Sequence, residues 1–424
     1  MLIIGDCQEF SGVLEATITA PMGRPQCYGS RGVSSRSSAP LEAPQTSKVM
    51  TIAAAHAAHD IYSAFLPPLL PVFIEKLVLA KAEAGLLTVF LQGPSLLQPL
   101  IGHLGDRIDL RPIVILAPAL TAACMSLVGV APSYAVIALL LVTAGVSAAV
   151  LHSLAPVMAG RVSGGRLGLG MGFWMVGGEL GRTFGPIILV SAIAVLGPKN
   201  LPWLMFGGVG ASALLFLGVR GTSRVSDDRT AAPDFVQAVR NMRGLFVPLF
   251  GVVTARSFML AAFATYLPVF LREEGSSLWL AGASLSVLEA AGVIGALVGG
   301  SASDVLGRRL VLVASFMTTP FILFAFVHLT GWSRLPMLLA LGFAGLMATP
   351  VIMAAVQESF PDNRALANGI YMALNFGIRS IVVVVVGGLA DHAGMRQAFL
   401  VCAALGLAGT PFVYWLPRRA PTRS

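Results

Sequence analysis

Charge is scarce in this chain. Asp, Glu, Lys and Arg make up 11% of its 424 residues, less than half of the roughly 25% carried by soluble domains. Hydrophobic residues account for 56%, and the mean hydropathy is +0.82. A water-soluble globular fold is excluded for most of its length. Cysteine is scarce as well: Cys7, Cys27, Cys124 and Cys402 show no CxxC or other metal spacing, so neither a disulfide framework nor a cysteine metal site is expected. No GxxxxGK[ST] run is present, which argues against direct coupling to ATP. No block mixes basic and aromatic residues, so the net charge of +8 does not signal a nucleic-acid partner. No nucleophile–base constellation stands out, and an enzyme is not expected. The first 48 residues hold no continuous apolar run of the kind a secretory signal needs. Their stretch Arg31–Pro40 is polar and rich in small residues. Residues 1–49 therefore read as a disordered extension or as sequence upstream of a true start at Met50.

What the chain does have is long apolar segments, each about 20 residues, the length a bilayer core requires. Twelve are expected: 50–74, 84–104, 112–131, 133–158, 168–196 and 201–219, then 245–271, 278–302, 310–329, 335–357, 367–389 and 396–416. Residues 220–243, with Arg220, Arg224, Asp227, Asp228, Arg229, Asp234, Arg240 and Arg243, separate the two sets. The expected organisation is a six-helix bundle over 50–219, a linker over 220–243, a second bundle over 244–417 and a tail over 418–424.

The two sets repeat each other. Gly102, Asp106, Arg107 and Arg111 recur as Gly300, Asp304, Arg308 and Arg309, 198 positions after the first pair. Pro71-Val72-Phe73 recurs 197 positions later as Pro268-Val269-Phe270, and Arg166 recurs at Arg364. Six spans repeated in order keep the same orientation, so the fold class is an all-α membrane protein with twelve transmembrane helices in two parallel-repeated bundles. A substrate site is expected between them near the midplane. With both termini inside, the inner segments hold 19 Lys and Arg against six in the outer loops, which places both termini in the cytoplasm.

Over residues 50–417 these features resemble the major facilitator superfamily. The loops around Gly102-Asp106-Arg107 and Gly300-Asp304-Arg308-Arg309 look like its signature loop, which in that family helps lock and release the halves. The first copy has Asp109 where the family has Gly; the second keeps Gly307. In the fifth span, Gly172, Gly181 and Gly185-Pro186 resemble the glycine motif of proton-coupled exporters. His56-Ala57-Ala58-His59-Asp60 and Leu151-His152-Ser153 look like the fosmidomycin-resistance branch of drug exporters. The resemblance implies a secondary transporter of a bacterial inner membrane, working by alternating access and exporting a small organic compound against proton entry. An importer of an organic anion, or a sensor or scaffold without flux, are the other readings.

An ionisable group inside a lipid-facing span costs roughly 3 kcal/mol on insertion scales, so each one asks for a reason. Asp60 and Glu179, with His56 and His59, are the proton-coupling candidates, a carboxylate beside an imidazole being suited to proton exchange. A hydrogen-bonded structural pair explains His56 and Asp60 equally. Glu179 and Arg182, three apart on one helix, are placed to neutralise each other. Arg182, Arg256, Arg379, His152, Glu289 and Asn375 are the substrate-cavity candidates, the arginines being suited to a phosphonate or carboxylate or to pairing with Asp60, Glu179 or Glu289. His56, His59 and Asp60 are metal ligands by type, but no further ligand cluster accompanies them, and no metal is expected. No cofactor is expected, protons serving as the coupling ion. The expected partners are a small-molecule substrate and the lipid bilayer, the chain acting as a monomer.

Overall fold

The computed structural model describes residues 45–105, 108–163, 167–220, 243–359 and 364–416. Among the described residues the structure is helical, with short 3-10 and π segments and no strand. Twelve spans are long and apolar enough to cross a membrane: α1 Thr46–Leu77, α2 Lys81–Gly102, α3 Arg111–Val128, α4 Tyr134–Val162, α5 Gly170–Leu196, α6 Pro198–Gly218, α7 Val247–Glu273, α8 Leu278–Leu306, α9 Arg308–His328, α10 Gly331–Ser359, α11 Gly369–Ala393 and α12 Met395–Trp415. The all-helical fold read from the sequence is the fold observed. The first helix begins at Thr46, four residues before the expected 50. The expected extension before residue 45, most of the 220–243 linker, the tail from 418 and the first-copy residues Asp106 and Arg107 lie outside the described residues.

Local sequence explains where spans bend and stop. Pro67 and Pro68 sit at the join between the two helical pieces of α1, Thr46–Ser63 and Leu66–Leu77, where their missing N–H groups cost least. In α7 a π segment, Ser257–Ala262, starts immediately after Arg256, a distortion often found at functional positions. Ser277 caps α8 by accepting from the Leu280 N–H at 3.1 Å. Gly307 turns the chain between α8 and α9 at φ +90°, a backbone region open to glycine and strained for other residues. There Arg308 holds Asp304 at 2.7 Å and Glu358 of α10 at 2.9 Å, and Arg309 donates to the Tyr414 carbonyl of α12.

Large apolar side chains cover the outside: Leu139, Leu297 and Ile381 are 67%, 63% and 67% exposed. A water-soluble protein of this size does not display such a belt; a bilayer makes it the favourable arrangement.

The two halves meet through α2 with α11, through α5 with α8, and through the repeated Pro-Val-Phe pieces of α1 and α7. Their polar contacts gather toward the face carrying the loops after odd-numbered spans. Asp391 of α11 accepts from the Lys81 and Ala82 N–H groups at 2.7 and 3.0 Å, capping α2 from the other half. Lys81 pairs with Glu273 at 3.0 Å. The Tyr266 hydroxyl lies 2.9 Å from both the Lys81 and Val383 carbonyls, and Gly85 and Gly387 leave the space that this hydroxyl fills. Trp279 donates to Ser191 at 3.1 Å, and the Ile187 N–H to Ser286 at 3.1 Å. These contacts join the two halves at the odd-loop face.

Replacing Gly387 with Leu should wedge this face apart, at about 1–3 kcal/mol for an overpacked contact. Faster alkylation of a cysteine introduced at Val383 would report it. On the same face, outside the spans, Arg396 and then Arg334 hold the Glu274 carboxyl below its ordinary 4.5, at 2.8 and 3.1 Å. A depressed folded value stabilises above the unfolded pKa and is lost as pH falls. Glu274→Gln should therefore lower the thermal midpoint at neutral pH, by about 1 kcal/mol or less for so exposed a group. The gap to wild type should close as pH falls through the lowered titration of this carboxyl.

Candidate functional site

Close packing of α1 on α5 builds the site. Gly177, Gly181 and Gly185 recur every fourth residue, so they line one face of α5. A Cβ at these positions would run into backbone atoms of Ala53, Ala57 and Ile61 on α1. Where lipid supplies no hydrophobic drive between helices, such small-residue contact is what holds them together. Gly181 and Gly185 of the exporter-like motif belong to this stripe. Gly172 does not, having open space where a Cβ would stand. Pro186 follows the stripe and is buried within the α5 helix.

The packing brings the charges of α1, α4 and α5 together. Asp60 is buried on α1 and has four partners: His59 Nδ1 at 2.9 Å, His56 Nε2 at 3.4 Å, His152 Nε2 of α4 at 3.5 Å and Arg182 Nη1 of α5 at 3.3 Å. Arg182 also pairs with Glu179, one turn back on its own helix. The guanidinium is thus shared by carboxylates of two helices. Gly178 leaves room for the His56 ring, which a Cβ there would crowd. His59 is fully buried and its Nε2 has no hydrogen-bond partner. Glu179 Oε2 is likewise buried and unpartnered.

The second half contributes Arg256, Glu289, Asn375 and Arg379. At 1.5 Å per residue, each lies roughly 10–16 Å into its span, close to mid-depth of a bilayer core of about 30 Å. Glu289 of α8 is within electrostatic reach of Arg182 and Glu179 in one half and of Arg379 and Arg256 in the other. Among the described residues it makes no ion pair. Arg256 donates to Thr349 of α10 at 2.6 Å, and neither it nor Arg379 pairs with a carboxylate among the described residues. Both leave a buried Nε without a partner. Asn375 sits four residues before Arg379 on α11, on the same face.

The candidates read from the sequence therefore form two groups that face each other. His152 joins Asp60 and the α1 histidines rather than the arginines of the second half. In the loops, Gly102 has open space around it, Gly300 only loose contact with Pro350, and Asp304 belongs with Arg308. Two contributors were missed. Trp174 stacks on His56 with ring centroids 3.6 Å apart. It is buried whereas Trp203, Trp279, Trp332 and Trp415 are exposed, but it stands no deeper in its span than Trp203 does, so its position along the chain did not mark it. Tyr266 closes the odd-loop face, and nothing in its neighbours along the chain marks it.

Gly181→Leu should separate α1 from α5 and destabilise the protein by about 1–3 kcal/mol, whereas Gly172→Leu should change little. Thermal midpoints of the two purified variants test the pair.

Comparison with known proteins places this geometry. A family profile described as Major Facilitator Superfamily matches residues 52–381 and 293–424. The "Fosmidomycin resistance protein" of Escherichia coli (strain K12) is 26% identical over 368 residues, spanning 84% of this chain and 90% of the relative. An "Uncharacterized MFS-type transporter YfnC" of Bacillus subtilis (strain 168) is 23% identical over 375 residues, 85% and 90% of the two chains. Among solved structures, a bacterial homolog of the human lysosomal transporter Spinster, inward-facing and occupied, superposes with TM-score 0.76 at 14% identity, covering 88% of this chain and 98% of that one. A D-xylose-proton symporter gives 0.69 at 15% identity, with 88% and 98% coverage.

Proposed function

Because the chain belongs to the major facilitator superfamily, and is a secondary transporter of that kind, we propose that it exports a small polar organic compound against proton entry. The membrane would be the bacterial inner membrane, with both termini cytoplasmic, a placement the Lys and Arg bias supports. The joined odd-loop face is then periplasmic, and the chain acts as a monomer open to the cytoplasm. Likeness to a resistance protein along 84% of the chain supports export over uptake.

The observation that carries the reading is Glu289: an ionisable carboxyl near mid-depth, facing both halves, with no ion pair among the described residues. Asp60 is the weaker proton carrier, because the Arg182 guanidinium and His59 already hold its carboxylate. Glu179 is intermediate, with one oxygen on Arg182 and the other unpartnered. In the proposed cycle, ionised Glu289 accepts hydrogen bonds from the substrate's donor groups on the cytoplasmic side. A proton arriving from outside takes the same carboxylate and expels the substrate. Two ligands that compete for one group exchange across the membrane, and by linkage each lowers the other's affinity.

Arg256 and Arg379, without carboxylate partners among the described residues, favour a second reading. If the substrate is an anion held by these two, a proton on Glu289 raises its affinity, and the coupling becomes symport. Substrate charge thus decides the sign of the coupling.

Reconstitution into proteoliposomes with labelled compounds, fosmidomycin first, tests the proposal. A pH gradient imposed against substrate movement should drive flux, and Glu289→Gln should abolish that flux at least about tenfold while keeping substrate–substrate exchange. Flux driven along the proton gradient would establish symport. Full gradient-driven transport in a Glu179→Gln/Glu289→Gln double variant would overturn the proton assignment. No flux for any compound would favour a sensor or scaffold.

A further inference from the structure

His56 and His152 each spend one ring nitrogen on a backbone carbonyl. His56 Nδ1 lies 2.9 Å from the Trp174 carbonyl, and His152 Nδ1 lies 2.9 Å from the Ala148 carbonyl. A carbonyl can only accept, so Nδ1 carries the proton in both rings. In the neutral rings both Nε2 lone pairs then point inward. They face each other at 3.2 Å and meet the Asp60 carboxylate at 3.4 and 3.5 Å. Two lone pairs and an anion brought this close repel unless something positive stands among them. Of these three groups, Arg182 touches the carboxylate and neither imidazole.

The spacing suits an ion. A tetrahedral metal with bonds of about 2.0–2.1 Å to nitrogen and oxygen keeps its ligand atoms about 3.3–3.4 Å apart; the two Nε2 atoms stand 3.2 Å apart, and each meets a different oxygen of Asp60, His56 at Oδ2 and His152 at Oδ1. The surroundings are those of a built site. Metal-bound histidines commonly donate their other N–H to a backbone carbonyl, as both do here. His59 steadies the carboxylate through Oδ1 at 2.9 Å, Trp174 stacks on one ligand ring, and Gly178 leaves that ring its space. The His152 side chain is 31% exposed, which leaves one side of the cluster open.

We propose that His56, His152 and Asp60 form a binding site for a divalent cation of the zinc class, with a fourth coordination position open beside His152. Two imidazoles and one carboxylate favour late first-row ions over Mg²⁺ or Ca²⁺, which take oxygen ligands. All three ligands belong to the first half, so rocking of the halves leaves the site intact. A bound dication takes the place of Arg182 beside Asp60 and leaves that guanidinium to Glu179. The inference is independent of substrate and of transport direction.

Calorimetric titration of the purified full-length protein with Zn²⁺ alone tests it. One ion per chain is expected, with affinity lowered at least a hundredfold in His56→Ala and in His152→Ala and unchanged in His328→Ala. Arg182→Gln keeps all three ligands while removing the competing cation, so it should bind several-fold tighter. X-ray absorption of the zinc-loaded wild type should show two imidazoles and oxygen ligation without sulfur, a result that needs no variant to fold. Absence of a stoichiometric site in wild type, persistence of full affinity without His56 and His152, or sulfur ligation would each overturn the proposal. The first of these would leave a shared proton between the two Nε2 atoms.

Discussion

Contact between α1 and α5 at glycine distance is the constraint on which the rest of the site depends. In a bilayer, apolar side chains gain little by leaving lipid for one another, so helices stay together through fit. Here the fit is backbone against backbone: Gly177, Gly181 and Gly185 on one side, Ala53, Ala57 and Ile61 on the other. With the two helices this close, Arg182 reaches a carboxylate 122 residues away in sequence. Gly178, beside the stripe, gives His56 the room to turn toward Asp60. The glycines hold no ligand themselves, yet the contact of Arg182 with Asp60 takes its position from them.

Charge is then distributed unequally between two halves that share one plan. In the first, Arg182 is compensated twice, by Asp60 and Glu179, and is a fixed part of the framework. In the second, Arg256 and Arg379 have no carboxylate within pairing distance among the described residues, and Glu289 is within electrostatic reach of both. Matching positions of the repeat carry different chemistry: Arg256 stands where the first half has His59, and Arg379 where it has Gly181. An uncompensated cation at mid-depth is expensive, so the second half is the one whose energy changes most when a proton or a charged substrate arrives. Duplication supplied the symmetry that permits rocking; divergence of these few positions supplied something to couple to it.

Much of this was legible along the chain. The twelve spans follow from length and hydropathy, and the repeat follows from spacing, because both are properties of contiguous sequence. The pairs His56 with Asp60 and Glu179 with Arg182 are legible for the same reason, lying one helical turn apart. His152 is different. Its link to Asp60 crosses 92 residues and depends on how α4 settles against α1, which no local period records, so the metal-type donor set was invisible until the fold supplied its third member. Tyr266 escaped for a related reason: its role comes from two carbonyls in other helices. The glycine motif was found but read one position too broadly, since Gly172 shares the residue type without sharing the contact.

The contacts that must break during transport differ in kind from those that must not. Between the halves, the described residues make six polar contacts at the odd-loop face: two to Asp391, and one each through Glu273, Tyr266, Trp279 and Ser286. At a net 0.5–1.5 kcal/mol each, they total on the order of several kcal/mol. A ligand shifts such an equilibrium only through its differential affinity for the two states, and about 5.5 kcal/mol takes a population from one extreme to the other. The latch is therefore of a size that one proton and one substrate can offset together. Within the first half the opposite holds, because α1 and α5 are joined by packed backbone and a shared guanidinium whose loss would leave buried charge. Rocking that opened the α1–α5 contact would be far more costly than rocking that opens the latch. In the proposed cycle the six-helix half is thus the unit that moves, and the site on α1, α4 and α5 travels with it unbroken.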